Sequence, residues 1–232
     1  MKFSAARSEL DSTVVEIELT LVSIIQCVAL TVLIENAHAT IAEPKFFFWP
    51  YVIAGLLVIF VFWSRAVLHI ITVIRWPLEF GHNFLYIACA LVEAILFAQL
   101  GKPANWFGLG AAFIAIGWSL FVYDLRLIHA RMRDSPGEAS NLLYARVLGD
   151  QRLNIVLLLP AMFFMNLFCS VCIRTWPGLF LVRNAHLWLI GLQTIGFVGY
   201  LLYVVRFYSN LAPLIAQARN EWHGTSGDSD QG

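Results

Sequence analysis

Charge is scarce in this sequence. Asp, Glu, Lys and Arg make up 13% of its 232 residues, where soluble domains carry about 25%. The signs also cancel, with 15 Lys and Arg against 15 Asp and Glu. A net charge of zero leaves no basic field for nucleic acid, so none is expected as a partner. The cysteines are only four, Cys27, Cys89, Cys169 and Cys172. All lie in apolar segments, where a thiol behaves as a small hydrophobe. Cys169-x-x-Cys172 has no second pair and no nearby histidine, so it reads as packing rather than redox or metal chemistry. A phosphate loop, a dinucleotide fingerprint, a GxSxG elbow and an HExxH pair are all missing. No catalytic residue, cofactor or metal is expected, and the chain is not read as an enzyme. No small-residue cleavage site follows the first hydrophobic run, so that run is expected to stay as a membrane helix.

What the sequence has in excess is apolar surface. Hydrophobic residues make up 59% of the chain, and the mean hydropathy is +0.73. That surplus is too large for a soluble core of this length. The expected fold is all-α: a polytopic integral membrane protein in contact with the lipid bilayer. About 20 apolar residues cross the hydrocarbon core as a helix. Six runs qualify, at 13–36, 46–73, 80–100, 105–129, 152–173 and 184–208, and residues 1–208 form one six-helix domain. Pro44, Trp76-Pro77, Gly101-Lys102-Pro103 and Trp176-Pro177-Gly178 punctuate them.

Of the cations, Lys45, Lys102, Arg174 and Arg183 lie in the first, third and fifth connections. The other eleven flank the termini and the even connections. The positive-inside bias predicts that both termini are cytoplasmic. This bias and the compact loops point to a bacterial inner membrane. The connection 130–151 is expected to be cytoplasmic. Ser135-Pro136-Gly137-Glu138 reads there as a helix start, with Ser135 as cap, Pro136 in the first turn and Glu138 closing a capping box. Leu142, Leu143, Val147 and Leu148 would form one side of a short interfacial helix, with a plain linker as the alternative. Residues 209–232 read as a cytoplasmic polar tail.

Span one is the most informative. Glu16, Thr20, Ser23, Cys27 and Thr31 recur at steps of four, three, four and four, which places them on one helical face. Glu18 and Gln26 lie off that stripe. Polar groups within a span seek neighbouring helices or water, so this stripe predicts a pathway or a bonded interface. Glu93 sits in the middle of span three. There it must be protonated, paired or facing water, which leaves an ion or proton site beside a simple interhelical hydrogen bond. Near the cytoplasmic side, Arg65, His69, Glu79, His82, Asp124, Arg126 and His129 are expected to form a polar cluster of ion pairs. Haem ligation by His69 and His129 is the weaker alternative.

Several short motifs carry a family resemblance. Phe48-Trp49-Pro50-Tyr51 opens span two, Phe62-Trp63 closes it, and His69 follows six residues later. Asn83-Phe84-Leu85 begins span three, and Gln99-Leu100-Gly101-Lys102-Pro103 ends it. This pattern resembles the endolysosomal potassium channel family and its bacterial six-helix homologues, over spans one to four. In that family an Arg followed by Phe-Ser-Asp opens the pore-lining first helix. Arg7 and Ser12 align with that motif, but Asp11 and Thr13 replace the Phe and the Asp. The resemblance implies a homotetramer around a cation path lined by the first helix. The expected function is therefore a homo-oligomeric cation channel or channel-like pore. A non-conducting subunit or sensor bonded to a partner protein, or a membrane-embedded enzyme or haem protein, are the other readings.

Overall fold

The computed structural model describes residues 2–42, 46–74, 79–135 and 137–224. Among the described residues seven α-helices carry the fold: α1 Lys2–Ala42, α2 Trp49–Thr72, α3 Phe80–Phe97, α4 Pro103–Arg133, α5 Glu138–Leu153, α6 Leu159–Thr175 and α7 His186–Gly224. Helices α5 and α6 are continuous through a π-helical turn, Asn154–Leu158. Among the described residues, six helical stretches are therefore long and apolar enough to cross a membrane. Apolar side chains such as Ile24, Phe60, Leu91, Phe164, Phe168 and Leu202 stand exposed on the outside of the bundle. Such a surface suits lipid and fits an integral membrane protein.

Proline marks the helix starts. Pro50 and Pro103 occupy the first turns of α2 and α4, where no N–H bond is lost. Pro160 has a different position, inside the continuous α5–α6 helix. It cannot donate to Val156, and its ring crowds that carbonyl. The π-helical turn just before it absorbs the conflict. The break at Trp76-Pro77 and the loop proline Pro44 lie outside the described residues. Between α6 and α7 the chain forms a short π-helical turn, Gly178–Val182. It then turns at Asn184, whose φ is 56°, a left-handed conformation that asparagine tolerates.

Helix α1 packs on α2 and α3, α4 on α3 and α6, and α7 on α2 and α5. Three apolar clusters fill the interior. One lies toward the end opposite the termini, with Leu33, Tyr51, Phe97, Trp106, Phe107 and Ile190 buried in it. The other two lie toward the end that holds the first half of α1 and the last half of α7. There Leu143 and Val147 of α5 pack with Ile128, Leu211, Leu214 and Ile215. Helix α7 consequently runs on to Gly224, well into the segment read as a polar tail, because Leu211, Leu214, Ile215 and Ala218 cover α5. In the connection 130–151, residues 130–133 end α4 and residues 138–151 belong to α5, which runs on through the π-helical turn into α6; Leu143 and Val147 face protein.

The start of α5 also differs from the expected capping box. Gly137 is the residue at the cap, with no side-chain cap of its own. Ser135 Oγ instead donates to the Arg131 carbonyl at 3.1 Å. Pro136 lies outside the described residues. The free amides of the first turn are bonded by Glu221, from the far end of α7.

Candidate functional site

Two polar features stand out, one on the outside of the bundle and one within it. The outer one is the stripe of α1. Glu16, Thr20, Ser23, Cys27 and Thr31 are all exposed. The opposite side of the helix, with Glu18, Val22, Gln26, Ala29 and Leu33, is buried against the bundle. Thr20, Ser23 and Thr31 each donate their hydroxyl proton to a backbone carbonyl one turn earlier, at 2.8, 2.8 and 2.9 Å. Each proton is thus committed, and the oxygen lone pairs remain to accept. The three hydroxyls of the stripe therefore offer acceptors, not donors, to whatever covers them. Glu35 is exposed on the same helix. At 1.5 Å per residue it stands about 29 Å along the axis from Glu16, close to the thickness of the hydrocarbon core.

The inner feature is a set of buried polar side chains along the bundle interior. Gln26 Nε2 donates to Tyr86 Oη at 3.2 Å and to Glu93 Oε2 at 3.4 Å. Glu93 is completely buried. Its Oε1 and the Gln26 Oε1 have no hydrogen-bond partner, and among the described residues no cation lies within ion-pair distance of Glu93. Nearer the end that holds the termini, Asn83 Nδ2 donates to Glu18 Oε1 at 2.8 Å. Toward the opposite end, Trp106 Nε1 donates to Gln193, which donates in turn to Asn166 Oδ1, at 3.0 and 2.8 Å. Gly110 makes that chain fit: a Cβ there would stand 2.8 Å from Asn166 Oδ1.

The predicted cluster near the end of α2 is brought together in part. Arg65 Nη2 bonds Asp150 Oδ2 at 2.6 Å, and both side chains are buried. Asp150 is one turn before the π-helical turn. It also accepts from the Tyr203 hydroxyl at 2.6 Å and from Asn154 Nδ2 at 3.3 Å, while Asn154 Oδ1 accepts from Tyr200 at 2.6 Å. Asp124 lies between two histidines. His82 Nδ1 is 2.8 Å from its Oδ1 and His69 Nε2 is 3.5 Å from its Oδ2. A carboxylate only accepts, so the Nδ1 of His82 carries the proton of that bond. The two imidazole rings lie 4.9 Å apart with their planes 14° from parallel.

Glu79 stands at the edge of this group and accepts from Tyr123 at 3.4 Å. Arg126 and His129 are exposed on the outer side of α4. His129 Nδ1 bonds the Leu125 carbonyl of its own helix at 2.7 Å. The structure adds Asp150, Asn154, Tyr200 and Tyr203, which sequence reading missed. Their partners are distant in the chain, so no local spacing announces them; an Asp in the half-polar 138–153 segment was the one visible sign.

A cavity of about 40 Å³ opens beside this group, lined by Arg65, His69, His82, Asp124 and Asp150 among others. His69, His82 and Asp124 each present one ligand-type atom, all within 4.8 Å of one another. These three could hold a metal ion. The sequence shows no metal spacing because the three come from three different helices. No protein family, no curated protein and no solved structure matches this chain.

Proposed function

We propose that several copies of this chain, four by the family resemblance, assemble with their α1 helices around a cation-conducting pore. The observation that supports it is the direction of the stripe. The polar residues of α1 face away from their own bundle, so they meet either lipid or another molecule. Back-bonding to the helix lowers the cost of a hydroxyl in lipid. Glu16 and the continuity of the stripe over four turns therefore carry the reading more than any single hydroxyl does. The committed hydroxyl protons leave acceptor oxygens, which suit a partly dehydrated cation. Ile17, Ile24 and Val28, exposed on the same side, would narrow the path as a hydrophobic constriction. Glu16 would draw cations to the cytoplasmic mouth and Glu35 to the other.

Cation flux into liposomes carrying the purified protein tests this, with potassium compared with sodium. The Thr20→Leu/Ser23→Leu double variant is expected to lose flux while folding and inserting normally. Unchanged flux in that variant, or none from folded wild-type protein, would sink the pore. A partner protein that co-purifies in fixed ratio, without conductance, would instead assign the same uncovered stripe to a heteromeric interface.

A further inference from the structure

We infer that His69, His82 and Asp124 bind a divalent transition-metal ion, of which zinc fits best, and that the ion ties α2, α3 and α4 together beside the end that holds the termini. This goes beyond the pore and does not depend on it. Each ligand comes from a different helix, and the ligand atoms already converge within 4.8 Å. Atoms bound to one tetrahedral ion at about 2.0–2.2 Å stand about 3.4 Å from one another. The Asp124 carboxylate faces both rings, its Oδ2 3.5 Å from His69 Nε2 and its Oδ1 2.8 Å from His82 Nδ1. With one oxygen as ligand, atoms now within 4.8 Å of one another close by at most about 1.4 Å to reach that spacing, and His82 releases its proton on binding. Two imidazoles and one carboxylate select zinc and its first-row neighbours over calcium and magnesium, which take oxygen ligands.

Two further observations point to an ion here. The first is unsatisfied bonding. His69 Nε2 is buried without a hydrogen-bond partner, and so is Arg65 Nη1 on the wall of the same cavity. A metal would take the nitrogen. A water completing its coordination would accept from Arg65, and the cavity of about 40 Å³ has room where one water needs about 10–15 Å³. The second is charge. Glu18, Asp124 and Asp150 are buried carboxylates, and Arg65 is the cation bonded among them. Among the described residues, Asp124 faces two imidazoles and has no arginine or lysine bonded to it. Buried charge needs compensation, and a divalent ion supplies it. Arg65 does not oppose the ion strongly, because its charge is engaged by Asp150 at 2.6 Å.

The test uses the full-length protein in detergent, stripped with a chelator, exposed to zinc chloride and desalted. Elemental analysis then counts zinc per chain, and thermal unfolding is followed with and without zinc. The expected result is about one zinc per chain with a raised Tm, since an ion that binds only the folded state stabilises it. His82→Gln and Asp124→Asn should lose the bound zinc and the zinc-dependent rise. His129→Gln, whose imidazole is exposed and bonded to its own helix, should keep both. His69→Gln guards against misfolding, because its Nε2 makes no hydrogen bond in the empty site; that variant should fold as well as wild type without zinc and fail to bind it. Folded wild-type protein that holds no zinc, or a folded His69→Gln variant that still holds one per chain, overturns the site.

Discussion

The carboxylate of Glu221, near the end of the last helix, closes the first turn of α5 by accepting the backbone N–H of Ala139 and Ser140 at 2.8 and 2.9 Å. The Ser140 hydroxyl donates to the same carboxylate at 2.8 Å. A negative group at a helix N-terminus satisfies orphan amides and meets the positive end of the dipole. Gly137 leaves the room: a Cβ at that position would stand 2.5 Å from the Glu221 carboxyl carbon. Glu221→Ala is therefore expected to lower Tm and to speed amide exchange at Ala139 and Ser140 while the rest of α5 stays protected. Gly137→Ala should do the same by pushing the carboxylate away. Unchanged exchange in both would show that the first turn is held by something else.

The Arg65 and Asp150 pair makes a larger prediction. Both side chains are buried, and Asp150 also accepts from Tyr203 and Asn154. Removing one partner leaves the other charge uncompensated, which costs about 3–5 kcal/mol. Asp150→Ala should therefore unfold at markedly lower denaturant, and Arg65→Met should do likewise. The double variant should recover much of the loss, since neither charge is then stranded. Additive losses in the double variant would show that the two side chains do not act as a pair.

How far the sequence showed this architecture depends on the range of the forces involved. The six spans were legible because each is a local run of apolar residues, and so was the stripe of α1, which is a matter of period. Its direction was not legible. Whether Thr20 or Gln26 faces the bundle is decided by which side meets α2 and α3, and Glu18 and Gln26, off the stripe, are the buried ones. The helix at 138–153 was visible through Leu143 and Val147. Its continuity with α6 was not, because a polar stretch next to an apolar one reads as a loop meeting a span. Glu221 caps a residue 82 positions away, and such a bond leaves no local trace. Arg65, His69, His82 and Asp124, grouped in the sequence by their positions near the ends of the apolar runs, line one cavity. Arg126 and His129 turn outward because they lie on the other face of α4.

Glu93 yields a prediction of the opposite sign. Its single hydrogen bond comes from Gln26 at 3.4 Å, and among the described residues no cation pairs with it. An amide can keep that bond as an acceptor and adds no charge to the interior. Glu93→Gln should then unfold within roughly 1 kcal/mol of wild type, or be more stable. Thermal unfolding in detergent decides this. A clear loss of stability in the glutamine variant would mean that the acid itself is needed, as an ion or proton site would require.

Cys27 separates the pore from a lipid-facing surface. It lies in the α1 stripe and is exposed, whereas Cys89, Cys169 and Cys172 are buried. A thiol reacts as the thiolate, which forms in water and not in hydrocarbon. If α1 lines an aqueous path, a cationic, membrane-impermeant methanethiosulfonate should modify Cys27 in liposomes and reduce flux, because a fixed positive charge then stands in the path of the cation. Cys27→Ser should conduct and resist the reagent, which assigns the effect to this one thiol. Mass spectrometry reads the modification and the flux assay reads its consequence. Cys27 left unmodified in liposomes by the charged reagent, yet labelled after solubilisation, would place the stripe against lipid or a protein partner. The acceptor oxygens of Thr20, Ser23 and Thr31 would then serve a helix interface rather than an ion.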